Sequence, residues 1–226
     1  MIESDNSWEK HWGRGYDLET KERMLKPLFE ELDEAGKLGD VIVDVGSGSW
    51  SVLRNLPFFA NKKEIHVDIA TEDDASSREA HVKFDVEKID QPDSLAYRKA
   101  LVRVSDFLNI DPRIETNKER ADTIVFSEIL NYVDYEKVIA GFSEYIKPGG
   151  SIIIINMPGR GVRALFSGEG LKDNNELYSF LEEHGFNIEY KILPWRTSVD
   201  VDDRESTTEM IVLVAQKSDG SSLKQN

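Results

Sequence analysis

At 226 residues the chain has the length of one compact α/β domain, with room for a lid but hardly for a second core. Its 28 Lys and Arg stand against 43 Asp and Glu, and the formal net charge of −15, with no dense basic run, argues against nucleic acid as the main partner. Cysteine is absent, which excludes disulfides, thiolate metal ligands and cysteine nucleophiles together and suits a reducing cytosol.

The opening residues, Met1 to Asn6, carry no apolar signal core, and no segment has the length to span a bilayer, so the expected place is the cytoplasm. Trp8 to Tyr16 is aromatic and glycine-containing. Leu25, Leu28, Phe29 and Leu32 then follow the i, i+3, i+4, i+7 spacing of a buried helical stripe, with Pro27 expected either to kink the helix or to lie near its start. Residues 1–36 are taken as an N-terminal lid and helical segment ahead of a core domain at 37–217.

Val41 to Val45 is a short β-branched run, the signature of a strand buried on both faces. A glycine/serine turn follows, then a short helix candidate from Trp50 to Leu56, stopped around Pro57. Further strands are expected at Glu64 to Asp68, His81 to Val86 and Thr123 to Ser127. A helix is expected within Asp93 to Asn109 and a polar loop from Ile110 to Glu119. The Ala70 to Ala80 link is too short for a full helix.

Val138, Ile139, Phe142 and Ile146 mark the next helix, ending at Lys147-Pro148-Gly149-Gly150. Ser151 to Asn156 is the most uniformly apolar strand. A loop from Met157 to Gly170 leads to a helix with a capping box of Asp173 and Glu176, a face of Leu177, Phe180, Leu181 and His184, and a stop at Gly185. Asn187 to Leu193 and Glu209 to Gln216 are two strands joined by a long acidic loop, and Ser218 to Asn226 is a polar tail expected to be disordered. Alternating strands and helices imply a mostly parallel sheet with helices on both faces, and the closing pair an antiparallel hairpin at or near one edge.

Glycines after the first strand let backbone amides approach a ligand at the carboxyl ends of parallel strands. Three carboxylates accompany them. Asp44, at the end of the first strand, could meet a cationic amino group. Asp68, ending the second, suits a ribose diol, and Asp85, ending the third, could accept from an adenine amino group.

Val41-Ile42-Val43-Asp44-Val45-Gly46-Ser47-Gly48 resembles the first motif of the class I S-adenosylmethionine (SAM)-dependent methyltransferases. Ile65-His66-Val67-Asp68 resembles the second motif and Phe84-Asp85-Val86 the third. Ala121 to Val133 resembles the fourth strand and its following helix, and Ile146-Lys147-Pro148-Gly149-Gly150-Ser151 the turn into the fifth. The resemblance runs from about Val41 to Gln216. It implies a three-layer α/β sandwich around a mostly parallel seven-stranded sheet, with an antiparallel C-terminal strand and SAM as cofactor.

By that resemblance Gly46 and Gly48 would line the methionine part of SAM, with Asp44 near its amino group. Asp68 would hold the ribose and Asp85 the adenine amino group, and Ser47, Ile69 and Val86 would be further cofactor contacts. Ser127 and Glu128 would sit at the active-site mouth. The sequence departs from the family where Trp50 replaces a third glycine.

Methyl transfer needs a base only when the acceptor must lose a proton. His66 and His81 lie in strands and His184 in a last helical turn, and all three are read as structural. His11, between Trp8 and Trp12, is a candidate base, and Tyr132 is a second catalytic candidate. Trp12, Tyr16, Asn131, Arg160 and Arg163 are candidate acceptor contacts. No His-x-x-x-His pair or compact carboxylate cluster points to a metal. The expectation is therefore a SAM-dependent methyltransferase, monomeric or homodimeric, acting on an O or N atom of a small molecule and releasing S-adenosylhomocysteine. Alternatives are a protein or peptide methyltransferase, a non-catalytic SAM-binding protein, and an NAD-binding oxidoreductase, since Gly46-x-Gly48-x-x-Ser51 nearly fits the dinucleotide fingerprint.

Overall fold

The computed structural model describes residues 18–48, 51, 53, 56, 61–69, 71, 73–111, 120–156, 174–197 and 206–218. In chain order these form α1 (Leu18–Glu34), β1 (Val41–Val45), β2 (Lys63–Asp68), β3 (Asp74–Ala75), β4 (Glu79–Lys83), a 3-10 turn (Val86–Lys88), α2 (Leu95–Leu108), β5 (Ala121–Ser127), α3 (Tyr135–Ser143), β6 (Ile146–Asn156), α4 (Asn174–Glu183), β7 (Phe186–Thr197) and β8 (Ser206–Lys217). One sheet runs in the order β3-β4-β2-β1-β5-β6-β8-β7.

Strands β4, β2, β1, β5 and β6 pair in parallel. β8 lies antiparallel between β6 and β7, so the terminal hairpin leaves β7 at the edge. The expected seven strands are all present. The eighth, β3, is a two-residue exposed strand antiparallel to β4, and it fills part of the link that was too short for a helix.

Alternation along the strands divides the apolar residues into two cores, one on each face. Ile42, Val125, Ile153, Ile155, Val212 and Val214 face one way and meet Leu25, Leu28, Phe29 and Leu32 of α1. Val43, Val45, Ile124, Phe126, Ile152, Ile154 and Leu213 face the other and meet α2, α3 and α4, through Val104, Val138, Ile139, Phe142, Leu177 and Leu181. The result is the three-layer sandwich that strand–helix alternation implies. Pro27 sits inside α1 at an exposed position, so the helix keeps its buried stripe.

Helix ends follow their local chemistry. Gly36, with φ 68°, closes α1, where the N–H groups of Gly36 and Lys37 donate to Asp33 and Leu32. Asn109, with φ 58°, closes α2 in the same way, and Ser94 and Asp134 cap the amino ends of α2 and α3.

Several expected boundaries move. Ile146 begins β6 instead of ending α3, and Lys147-Pro148-Gly149-Gly150 belongs to that strand as an irregularity. Between the pairs Ala121–Ile146 and Thr123–Ser151 the register shifts, and Gly149 takes φ 75°. His81 lies in the middle of β4, not at its start. Both C-terminal strands extend beyond their expected limits. The expected helix from Trp50 to Leu56 lies mostly outside the described residues, which show a turn closed by Leu56 N–H on the Leu53 carbonyl.

Candidate functional site

The glycine turn follows β1, as expected. Gly46 (φ 75°) and Gly48 (φ 58°) both take the left-handed conformation that glycine adopts without strain. For Gly46 the structure also gives a packing reason: a Cβ there would lie 2.4 Å from Ile129 Cδ1. That glycine therefore makes room for the segment after β5, which differs from the ligand approach expected of it. Gly46 N–H donates to Val67 O at 2.8 Å, and Gly48 N–H donates to Asp68 Oδ2 at 2.9 Å. The Asp68 carboxylate thus ties the end of β2 to the turn after β1. Ser47 is buried beside it, and Ile69 is 54% exposed.

Asp85 does not end a strand. β4 stops at Lys83, and Asp85 caps the following 3-10 turn. Its Oδ1 accepts from Glu87 N–H at 3.2 Å and its Oδ2 lies 3.2 Å from Lys88 Nζ. A short polar side chain able to satisfy the first N–H groups of a turn ends the strand early. Val86 is buried in that turn.

At the carboxyl end of β5, Ser127 pairs with Ile155, and Glu128 takes φ 59°, a backbone conformation uncommon for a side-chain-bearing residue. Glu128 N–H donates to Ile155 O at 2.8 Å, which holds this bend against β6. Asn131 Nδ2 donates to Asn156 Oδ1 at 2.7 Å, and Tyr132 N–H donates to Ile129 O at 2.9 Å in the same turn. His11, Trp12, Tyr16, Trp50, Arg160, Arg163 and Asp173 lie outside the described residues.

Asp44 is 1% exposed, and its surroundings are the main departure from the sequence reading. Ser51 Oγ donates to its Oδ2 at 2.5 Å, and His66 Nδ1 lies 3.6 Å from the same oxygen. On the other side of the imidazole, Nε2 lies 3.3 Å from Glu64 Oε2. These are ion-pair contacts that fall short of hydrogen-bond geometry, and neither ring nitrogen makes a hydrogen bond among the described residues. The His81 ring stacks on His66, with centroids 4.9 Å apart.

The register explains the cluster. Asp44, His66 and His81 are direct neighbours across β1, β2 and β4, and Glu64 is two residues from His66 on the same face. Burial alone would lower the pKa of His66, but the adjoining Asp44 and Glu64 outweigh it and raise it to about 9. His66, Glu64 and Asn156 were not among the candidate site residues. Glu64-Ile65-His66-Val67-Asp68 alternates like a strand with one face in water, whereas β2 is covered on both. Asn156 had a visible signal, as the polar residue ending the Ile152–Ile155 run.

No family model matches the sequence, and no curated protein matches it. Solved structures do. A chain from a Haloferax volcanii complex containing the Trm112 methyltransferase activator aligns with TM-score 0.59 and 14% identity, over 93% of this chain and 96% of that one. The 1,6-didemethyltoxoflavin-N1-methyltransferase of Burkholderia thailandensis, solved with its substrate and S-adenosylhomocysteine, aligns with TM-score 0.57 and 16% identity, over 94% and 85%. A SAM-dependent methyltransferase of Methanosarcina mazei aligns with TM-score 0.52 and 14% identity, over 82% and 97%. The chain has the class I methyltransferase fold. In that fold the carboxyl ends of the central parallel strands, where Asp44, Gly48, Asp68 and Glu128 gather, form the crevice in which open α/β sheets bind ligands.

Proposed function

We propose that the chain is a SAM-dependent methyltransferase acting on an O or N atom of a small molecule. The observation that carries this reading is the left-handed glycine turn joined by Asp68 to the end of β2, with Asp44 buried beneath it, in a sheet of methyltransferase order.

The residues fit the cofactor's chemistry. Asp44 Oδ1 is buried and accepts no hydrogen bond among the described residues, which suits an ammonium group. Asp68, whose carboxylate accepts from Gly48 N–H, has the acceptor chemistry that a ribose diol requires. In this reading Asp44, Gly46, Ser47 and Gly48 hold the methionine end, Asp68 and Ile69 the ribose, and Asp85 and Val86 the adenine. Ser127 and Glu128 border the reacting centre.

When bound, the cofactor would supply a sulfonium methyl group for transfer to a lone pair of the acceptor, with S-adenosylhomocysteine as the leaving group. The protein's share is mainly alignment, an effect that can supply roughly 7–11 kcal/mol. Asn131, held by Asn156, and Tyr132 stand where an acceptor would be oriented, and Tyr132 or His11 would take a proton from a hydroxyl or ammonium acceptor. The charge of −15 favours a small acceptor over a nucleic acid. An NAD-binding oxidoreductase is the weaker reading, because the antiparallel β8 between β6 and β7 departs from the all-parallel dinucleotide-binding order.

Replacing Asp68 with alanine removes the acceptor for the ribose. The expected result is S-adenosylhomocysteine affinity weakened by more than about tenfold in equilibrium titration. Unchanged affinity would place the ribose elsewhere.

A further inference from the structure

β2 carries an imidazole where a doubly covered strand ordinarily carries an aliphatic side chain. His66 is fully buried, and each ring nitrogen faces a carboxylate, Asp44 on β1 and Glu64 on β2 itself. A neutral imidazole has one N–H and one lone pair, so one of those two faces would set a lone pair against a carboxylate oxygen. Two carboxylates buried around a neutral ring would also be left without a counter-charge, which is strongly unfavourable in a dry interior. Protonating the ring lets both nitrogens face a carboxylate and gives the buried pair a counter-charge, so the arrangement favours an imidazolium.

The consequence for Asp44 is geometric. Its Oδ2 is engaged twice, by Ser51 and by His66, while its Oδ1 is buried without a hydrogen bond among the described residues. We propose that His66 is a positioning residue for cofactor binding: held between Glu64 and Asp44, it fixes the Asp44 carboxylate by one oxygen so that the other is presented to the ammonium of the bound cofactor. This rests on the SAM reading above. Glu64 acts at one remove, favouring the charged form of the ring from its other nitrogen. His81, stacked on the ring from β4, limits its rotation.

The test uses two ligands that share the adenosine and thioether and differ in the amino-acid end: S-adenosylhomocysteine, and 5′-methylthioadenosine, which lacks the ammonium. Titrating wild type and His66→Gln with both, the expected result is a loss of about tenfold for S-adenosylhomocysteine and a change within about twofold for methylthioadenosine. Equal losses for both ligands, or none, would overturn the positioning role while leaving the cofactor reading standing. A wild-type protein that binds neither ligand overturns the cofactor reading and this role with it.

A second measurement needs only the wild type. Imidazole nitrogen NMR at pH 7.5 is expected to show both His66 nitrogens protonated, with signals that move on adding S-adenosylhomocysteine and stay in place with methylthioadenosine. A neutral ring, or the same response to both ligands, contradicts the proposal.

Discussion

His66 carries a charge that the fold must pay for, and its titration follows from where it sits. The pKa rises from 6.5 to about 9, despite burial, through Asp44 and Glu64. A value above the unfolded one means that the folded protein holds the proton more tightly. This contribution is therefore whole below pH 6.5 and is lost as pH climbs through 9. It amounts to something on the order of 3 kcal/mol. The melting temperature of the wild type should fall between pH 7 and pH 10, and His66→Gln should be less stable at pH 7 with a flatter profile. Parallel profiles would show that another group titrates. Gly46 gives a second test at this scale. Alanine there meets both a positive φ and the Ile129 side chain, so Gly46→Ala should cost about 1–3 kcal/mol in denaturant unfolding, and a neutral result would mean that the turn repacks.

At the scale of elements, Asp122 joins three strands at the end of the sheet opposite the site. Its Oδ2 accepts from the N–H groups of Asp40 and Val41 at the start of β1, and its Oδ1 pairs with Lys147 of β6 at 2.6 Å. Gly39 is a glycine because Asp122 fills the space where its Cβ would go. Asp122→Ala should therefore destabilise the protein by about 1–3 kcal/mol, measured by urea unfolding, while leaving S-adenosylhomocysteine affinity unchanged. A loss of affinity at intact stability would refute this division between the two ends of the sheet. Strand identities and their succession along the chain were legible in the sequence because β-branched runs and helical stripes carry their periods locally. The boundary between α3 and β6 was not, because a Pro-Gly-Gly segment that reads as a turn is absorbed into the strand as an irregularity against β5. The same local logic misplaced Asp85, whose capping of a turn outweighs strand continuation. The buried cluster stayed hidden because its parts come from three different strands, and only the register joins them.

At the scale of the whole molecule, one sheet separates two apolar cores and concentrates polar groups at the carboxyl ends of its parallel strands and beneath the glycine turn. The net charge of −15 is a self-repulsion that salt screens, so moderate sodium chloride should raise the melting temperature, and a fall would contradict this account of the surface. The central claim is that the turn at Gly46 to Gly48, with Asp44 and Asp68, is built for SAM. Calorimetric titration of the full chain with SAM, S-adenosylhomocysteine and NAD tests it most directly. The account predicts saturable binding of the first two and none of NAD; tight NAD binding without response to either adenosyl ligand would contradict it.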